Sequence, residues 1–319
     1  TGSAVGVSAY KVYRGTSAAL LDPLVEVSDK VTSYVDSTAA AGTMYTYAVQ
    51  AVGLTGAGSS DQSVTDTGYK ASATTPTGLV ATDGTSTAQV TLNWNAVSGA
   101  DGYKVFRGVG SASTLVTTLG VVTTYLDTAA DPGVVYTYAI KAVKASVDSA
   151  ASAVDTGYRG LSAPTGLTAT SGTSTADVTL KWGAVAGATS YKVFRDGTSI
   201  ATVTGSPLAT TYADTTAVAG TLHSYLVRAS KSGVEDSASS ASASGYRKLS
   251  APTGVVASDG TSTSGITVSW TASAGGVSAY TVYRGTSAAD LAVLGTASGS
   301  DTSYVDNSAA LVAGTVYTY

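Results

Sequence analysis

The chain has 319 residues and a formal net charge of −4, and only 12% of its residues are charged. With so few basic residues it has no positively charged stripe that could neutralise phosphates, so we expect no nucleic-acid partner. The hydrophobic residues, 44% of the chain, are spread through short runs. None of these runs approaches the roughly 18 apolar residues of a membrane helix, so we expect no membrane span in this segment. The absence of cysteine excludes disulfides, thiolate nucleophiles and cysteine-based metal sites.

The first predicted strand, residues 10–14, reads Tyr-Lys-Val-Tyr-Arg, and close copies of it begin at Tyr103, Tyr191 and Tyr280. The copies are 93, 88 and 89 residues apart, which indicates tandem repeats of one folding unit. In chain order, the patterned segments before the cycle restarts are residues 10–14, 32–36, 42–52, 67–70, 75–82 and 90–94. Apolar and polar residues alternate in these segments, which predicts β-strands. About seven short strands per repeat favour a sandwich over a barrel.

The marks of each repeat resemble those of a bacterial fibronectin type III domain. They are Pro-Thr-Gly opening strand A, a tryptophan closing strand B, Tyr-x-Val-x-Arg in strand C, Thr-x-Tyr-x-Asp in strand E and Gly-x-x-Tyr-x-Tyr at the start of strand F. Their order and spacing recur along essentially the whole chain. The resemblance implies an all-β fold of tandem immunoglobulin-like sandwiches, with strands A-B-E packed on strands C-C′-F-G and the repeats arranged as an extended rod.

This resemblance divides the chain into four repeats. The predicted boundaries are residues 1–72, 73–160, 161–248 and 249–319. The first repeat would hold strands C to G only and the last strands A to F only, because Thr1 aligns with Thr271 and Tyr319 aligns with Tyr47. An incomplete sandwich exposes an apolar face and unpaired edges. We therefore expect the chain to continue a longer array, or neighbouring copies to complete these repeats.

The junctions between repeats are short. Residues 159–163 separate the second repeat from the third, and residues 247–251 separate the third from the fourth. Neither junction has the glycine- and serine-rich composition of a flexible linker. The sequence therefore favours stiff connections.

The predicted core markers are three tryptophans, at the end of strand B, and the residues at the tyrosine-corner position of strand F. They are Trp94, Trp182, Trp270, Tyr45, Tyr136, His223 and Tyr317. The resemblance implies that the corner tyrosine hydroxyl ties back to the chain before strand F. His223 is the only histidine in the chain, and a catalytic or metal role would need partners that the composition does not supply. We interpret it as structural, with a ring nitrogen making the backbone bond of the corner tyrosine.

Charged residues recur singly, without the constellations that catalysis requires. The strand-E aspartates are expected to cap turns, and the strand-C arginines to be solvated surface charges. These two sets are Asp36, Asp127, Asp214 and Asp306, and Arg14, Arg107, Arg195 and Arg284. Asp83 and Asp259 lie near predicted junctions, but the third repeat has Ser171 there and no multi-carboxylate loop is present, so the sequence does not favour calcium. We therefore predict no enzyme, no cofactor and no metal site.

Three tyrosines near the ends of strand G, Tyr69, Tyr158 and Tyr246, are candidates for sugar contacts. Packing at the junctions between repeats is the favoured interpretation, because a large aromatic ring gains most from burial.

The leading functional hypothesis is a structural one. The chain would be a bacterial extracellular or cell-surface fibre or stalk, built from rigid repeats without catalysis. The alternative is an adhesin, or accessory binding or spacer repeats of a secreted carbohydrate-active enzyme. The expected partners are neighbouring copies or the continuation of a longer chain, and the many Thr and Ser residues leave O-linked glycan open as a further one.

Overall fold

The computed structural model describes residues 6–70, 73–144 and 146–319, and every regular element over those ranges is a β-strand. The outer residues of the predicted first repeat, residues 1–5 and 71–72, lie outside this part. Within it, no helix has the length and hydropathy of a membrane span. The chain divides into two compact units, Thr1–Arg159 and Gly160–Tyr319.

The first sheet of the first unit contains four antiparallel strands. They are β1 (Val7–Gly15), β2 (Asp22–Ser28), β3 (Met44–Gly53) and β4 (Asp66–Tyr69). Their order β2-β1-β3-β4 is the predicted order C′-C-F-G. A groove of about 720 Å³ lies over the inner face of this sheet, against Tyr10, Val12 and Tyr47. That neighbouring copies or a longer chain cover this face stays a prediction.

The strand predicted at residues 32–36 is wrong, because the structure gives this segment no regular pairing. In each later repeat the equivalent strand E is paired with strand B. The described residues of the first repeat contain no strand B beside residues 32–36, so the backbone there has no ladder partner.

Two sheets follow in the first unit. Their strands are β5 (Val80–Ala81), β6 (Val90–Asn93), β7 (Gly102–Gly108), β8 (Thr114–Leu119), β9 (Thr124–Asp127), β10 (Tyr136–Lys144), β11 (Val147–Asp148) and β12 (Asp155–Gly157). One sheet has the order β5-β6-β9, and the other has the order β11-β10-β7-β8 with β12 also paired to β10. These orders correspond to A-B-E and to C′-C-F-G.

The second unit repeats this arrangement. Its first strands are β13 (Thr168–Ala169), β14 (Val178–Lys181), β15 (Ser190–Arg195), β16 (Thr198–Val203), β17 (Thr211–Asp214), β18 (His223–Ser230) and β19 (Ala243–Gly245). They form sheets β13-β14-β17 and β16-β15-β18-β19. The last strands are β20 (Thr253–Ala257), β21 (Ile266–Thr271), β22 (Ala279–Arg284), β23 (Ala292–Ser298) and β24 (Ser303–Asp306), in sheets β20-β21-β24 and β22-β23.

The predicted all-β fold of tandem immunoglobulin-like sandwiches is therefore confirmed, with A-B-E and C-C′-F-G pairing. The boundaries of the four repeats and their arrangement as a rod stay predictions.

The core of each complete sandwich is organised around a tryptophan and a tyrosine on facing sheets. In the third repeat, Val178 and Leu180 on β14 are fully buried, and Trp182 follows them with 3% of its surface exposed. The Trp182 ring meets the edge of Tyr191 at a centroid distance of 5.3 Å. The hydroxyl of Tyr191 accepts a hydrogen bond from the Val185 backbone N–H at 2.7 Å, so its polar atom is not left unpaired in the core.

The same pair recurs in the other sandwiches. Trp94 meets Tyr103 at 5.4 Å, and Trp270 meets Tyr280 at 5.1 Å. All three tryptophans are buried, and their indole nitrogens have no hydrogen-bond partner in the described residues. The tryptophans therefore contribute through apolar burial and ring packing rather than through the indole N–H.

Trp182→Ala should destabilise the third repeat by about 3–5 kcal/mol, because it removes the largest ring from a close-packed core. Hydrogen exchange of the β14 and β18 amides, followed by mass spectrometry, measures this loss repeat by repeat. Leu222→Ala is the control: Leu222 is 65% exposed, so its truncation should change stability by less than about 0.5 kcal/mol. If the β14 and β18 amides were equally protected from hydrogen exchange in the two variants, this description of the core would be contradicted.

Candidate functional site

Each repeat carries one aspartate at the position predicted for the end of strand E, and in the second, third and fourth repeats its carboxylate points into the sandwich. In β9 the side chains alternate, so that Leu126 faces solvent while Asp127 is fully buried. Asp214 and Asp306 end β17 and β24 in the same way, at 0% and 1% exposure. An ionised carboxylate at this depth requires charged or hydrogen-bonding partners.

Asp127 has four such hydrogen bonds. Arg107, at the end of β7, donates from Nη1 to both carboxylate oxygens at 2.9 and 2.7 Å. The Tyr138 hydroxyl donates to Oδ2 at 2.9 Å, and the Ala129 backbone N–H donates to Oδ1 at 3.1 Å. One carboxylate therefore joins strand E to strands C and F of the opposite sheet and caps the turn that follows it.

This arrangement, the Arg–Asp–Tyr cluster, recurs in every repeat. Its other members are Arg14, Asp36 and Tyr47; Arg195, Asp214 and Tyr225; and Arg284, Asp306 and Tyr319. In each of them the arginine Nη1 lies 2.7 Å from the carboxylate, and the tyrosine hydroxyl lies 2.9–3.0 Å from it. Backbone N–H groups of Thr38, Thr216 and Ser308 donate to the respective carboxylates, so the predicted turn caps are confirmed.

In the third and fourth repeats the cluster keeps its acid ionised and its phenol protonated. Burial by itself raises the pKa of Asp214, but hydrogen bonds from Thr216, Arg195 and Tyr225 outweigh it and hold that pKa below the ordinary value of 3.8. In the fourth repeat, burial and the hydrogen bond to Asp306 raise the pKa of Tyr319 to about 12. Tyr225 and Tyr319 therefore donate to a charged acceptor throughout the physiological pH range.

The prediction that the strand-C arginines are solvated surface charges is wrong. The side chain of Arg107 is 22% exposed and that of Arg284 is 17% exposed, and each is bound to its aspartate. The reason lies in the reach of arginine, whose guanidinium extends from the end of strand C to the opposite sheet. The sequence contains a signal for this, since the arginine, the aspartate and the tyrosine recur together in all four repeats.

The corner residues pack on the same arginines. The Arg107 guanidinium carbon lies 4.6 Å from the Tyr136 ring centroid, a cation–π contact, and the equivalent distances are 4.5 Å at Tyr45 and 5.1 Å at Tyr317. The Tyr317 hydroxyl donates to the backbone oxygen of Ala310 at 3.2 Å, whereas that of Tyr136 donates to the Asp131 carboxylate at 3.0 Å.

His223 replaces the corner tyrosine and makes a different bond. It is buried, and its Nδ1 lies 2.6 Å from Oδ2 of Asp196, in the tight turn between β15 and β16. The backbone bond predicted for His223 is therefore wrong, because the shorter imidazole is held by a side chain of this turn. Its Nε2 is buried and has no partner among the described residues.

Asp196 is itself a departure from the other repeats, which have glycine after the strand-C arginine at Gly15, Gly108 and Gly285. Hydrogen bonds from the Ser224 backbone and from His223 hold the pKa of Asp196 below its ordinary value. No prediction from the sequence included this pairing, although one repeat has both an aspartate in place of glycine and a histidine in place of tyrosine, which is a signal for it.

The strand-G tyrosines pack within their own repeats. Tyr158 is 8% exposed, and its ring lies so close to Gly84 that an added Cβ would be 2.7 Å from it. Tyr246 lies in the same way against Gly172, and it is 37% exposed. Both glycines have a positive φ, at 64° and 65°, so glycine suits them both sterically and conformationally. These two rings therefore pack on the turn between strands A and B of their own repeat, whereas Tyr69 is 53% exposed.

Over the described ranges, no group of three or more histidine, aspartate or glutamate side chains is placed to hold a metal ion. The polar groups of the Arg–Asp–Tyr clusters are directed at one another. In the second, third and fourth repeats this geometry joins the two sheets of the sandwich.

Comparison with known proteins found no matching family model. The chain is 33% identical over 275 residues to Exoglucanase B of Cellulomonas fimi, 51% identical over 74 residues to a poly(3-hydroxybutyrate) depolymerase of Ralstonia pickettii, and 32% identical over 160 residues to Chitinase A1 of Niallia circulans. These alignments cover 77%, 23% and 47% of this chain. They cover only 23%, 14% and 21% of the relatives, so the chain spans less than a quarter of each relative's length.

Among solved structures, the chain is similar to a two-domain fibronectin type III segment of chicken tenascin. The match has 23% identity and a TM-score of 0.45, and it covers 53% of this chain and 97% of that one. It is also similar to a fibronectin-type-III-like protein of Clostridium thermocellum, with 35% identity and a TM-score of 0.25, over 26% of this chain and 90% of that one.

Acid should weaken the third repeat through Asp214. Its pKa is lowered on folding, so its ionised form stabilises the repeat above the ordinary value of 3.8, and this contribution is lost as the pH falls towards the lower folded value. In a Trp94→Phe, Trp270→Phe background, Trp182 fluorescence reports the urea unfolding of this repeat. The unfolding free energy should decrease below about pH 4, and less steeply in Asp214→Asn. Equal pH slopes in the two proteins would contradict the role given to Asp214.

Proposed function

Because this chain is a tandem array of fibronectin type III repeats, we propose that it serves as non-catalytic spacer repeats within a secreted, polymer-degrading bacterial enzyme. The observation that carries this proposal is the set of relatives. Their names give three different activities, those of an exoglucanase, a poly(3-hydroxybutyrate) depolymerase and a chitinase. A region shared by enzymes of different substrates, and making up less than a quarter of each, fits a role that does not depend on the substrate.

The internal chemistry of the repeats supports the same proposal. The conspicuous charged constellation, Arg107 with Asp127 and Tyr138, has its polar groups bonded within the sandwich. Such a cluster stabilises a fold but offers no free nucleophile, acid or base to a substrate. The proposal includes an extracellular location, since polymers such as those in the relatives' names do not cross membranes.

The fibre or stalk hypothesis drawn from the sequence alone has less support. It uses the same repeats, but the relatives are named as enzymes rather than as filament proteins. The comparisons therefore favour the alternative, accessory repeats of a secreted enzyme. A fibre would self-associate, and this separates the two hypotheses experimentally.

Removing one repeat should shorten the spacer by about one sandwich. Fluorescent donor and acceptor domains fused to the two ends of the chain report its end-to-end distance. Deletion of residues 161–248 should reduce that distance by roughly 30 Å, the length of a strand of about nine residues. An unchanged distance would contradict the spacer proposal.

The same purified chain gives the controls for the competing functions. Incubated with cellulose, chitin or poly(3-hydroxybutyrate), it should release no soluble product and should not be retained on the polymer. Product release would overturn the proposal in favour of an enzyme, and retention would overturn it in favour of a binding module. Growth of filaments in sedimentation and electron microscopy would restore the fibre hypothesis.

A further inference from the structure

The junction between the third and fourth repeats, within the second unit, contains more than a linker. Its first component is the turn before β18, Val218-Ala219-Gly220-Thr221, which we call the acceptor turn. Its second is the turn between β21 and β22, which contains Gly275 and Gly276 and which we call the glycine turn. These turns belong to different repeats, and they are in direct contact.

The linker after β19 is fixed on the third repeat. The Arg247 guanidinium donates hydrogen bonds to the backbone oxygen of Thr175, before β14, and to those of Thr215 and Ala217, after β17. The distances are 2.5–3.1 Å. The backbone N–H of Gly220 donates to the Arg247 oxygen at 2.8 Å. Lys248 adds a backbone bond to Ser174 at 2.8 Å. The linker therefore leaves the third repeat already bound to the acceptor turn.

The fourth repeat then binds the same turn. The backbone N–H of Gly276 donates to the backbone oxygen of Ala219 at 2.7 Å. Leu249, at the end of the linker, packs on Gly220, where an added Cβ would lie 2.9 Å from its methyl group. The acceptor turn is therefore held by the linker on one side and by the glycine turn on the other.

The contact depends on glycine. At Gly275 the backbone has a φ of 117°, and an added Cβ would lie 2.4 Å from the Ala219 oxygen. At Gly276 it would lie 3.0 Å from Oγ1 of Thr221. Any side chain at Gly275 would separate the two turns, because the atom that it meets belongs to the backbone.

The sequence of this junction differs from the others. The equivalent turns in the second and third repeats contain no pair of adjacent glycines, and they are one residue shorter between the tryptophan and the tyrosine. The acceptor turn, by contrast, recurs in the fourth repeat as Val312-Ala313-Gly314-Thr315. Ala313 and Thr315 are exposed there, whereas Ala219 and Thr221 are half-buried. Two residues of the tetrapeptide are therefore less exposed where the glycine turn is in contact with it.

We propose that these contacts form a clasp that makes the third and fourth repeats one rigid element. Short-range backbone hydrogen bonds and a packed leucine restrict the rotations that a free linker of this length would allow. The proposed rigidity is argued from the contacts at this junction alone. The role of that rigidity, which is to fix the separation of the flanking parts of the protein, rests on the proposed spacer function.

The test measures the distribution of distances between the two repeats in the full chain. The protein has no cysteine, so Ser199→Cys and Ala292→Cys place one spin label on an exposed position of each repeat without further changes. Pulsed electron–electron double resonance between the two spin labels should give a single narrow distance distribution. A broad distribution in this parent protein would overturn the proposal.

Two matched substitutions identify the cause. Gly220→Ala and Gly314→Ala change the same tetrapeptide at nearly the same φ, 74° and 75°, so they carry the same backbone strain. Only Gly220→Ala places a methyl group against Leu249 and the Gly276 oxygen, whereas nothing lies within 4 Å of the Cβ of Gly314→Ala. The distribution should broaden and shift in Gly220→Ala and should be unchanged in Gly314→Ala.

Equal distributions in these two variants would overturn the clasp. If Gly220→Ala does not fold, Leu249→Ala is the replacement variant, because Leu249 is a half-buried linker residue outside the strands. It should also broaden the distance distribution. A narrow distribution that Leu249→Ala leaves unchanged would count against the clasp. The end-to-end measurement proposed for the spacer is independent of this width, so either proposal can fail while the other stands.

Discussion

The second, third and fourth repeats each depend on one buried carboxylate, held between an arginine and a tyrosine of the opposite sheet. Asp127 illustrates it: the aspartate ends a strand of the A-B-E sheet, while Arg107 and Tyr138 lie on adjacent strands of the C-C′-F-G sheet. Apolar packing of two sheets is non-directional, and it tolerates small shifts between them. A bonded carboxylate is directional, so it fixes the register of the two sheets as well as their contact.

The cluster also leaves no buried carboxylate oxygen without a hydrogen-bond donor. The arginine, the phenol and the N–H groups of the following turn all meet on the same two oxygens, so the carboxylate has a donor for each. Its neighbours extend the arrangement, since the corner tyrosine covers the guanidinium at 4.6 Å in the second repeat. In the third repeat His223 replaces that tyrosine, and it is held by a hydrogen bond to the Asp196 carboxylate instead.

Much of this could be predicted from the sequence, and the exceptions have a common cause. Two patterns predicted the sandwich, because they report which face of a strand is buried. They are the alternation along β14, which places Val178 and Leu180 inward, and the even spacing of the tryptophans. The pairing of Arg195 with Asp214 was missed, since a long side chain at a strand end can reach a residue that periodicity places on another sheet. The His223–Asp196 bond and the contact of Gly276 with Ala219 join residues far apart in the chain, and local pattern does not report such distances.

The comparisons change the emphasis from a fibre to an accessory region. The sequence alone weighed both, and it favoured the fibre because the repeats are uniform and lack catalytic constellations. The relatives are enzymes in which the aligned segment is a minor part, which fits repeats that separate other domains. Clusters that join the two sheets of a sandwich, together with short junctions, are consistent with the proposed spacer role.

A double-mutant cycle between Arg107 and Asp127 tests the central claim most directly. In a Trp182→Phe, Trp270→Phe background, Trp94 reports the denaturant unfolding of the second repeat alone, for Arg107→Met, Asp127→Asn and the combined variant. If the buried pair fastens the two sheets, the coupling free energy should be about 1.5–3 kcal/mol, against about 1 kcal/mol or less for the more exposed pair of the same repeat, Lys104 and Asp148, which lie 2.7 Å apart. Additive effects of Arg107→Met and Asp127→Asn, with no more coupling than in the exposed pair, would contradict the account.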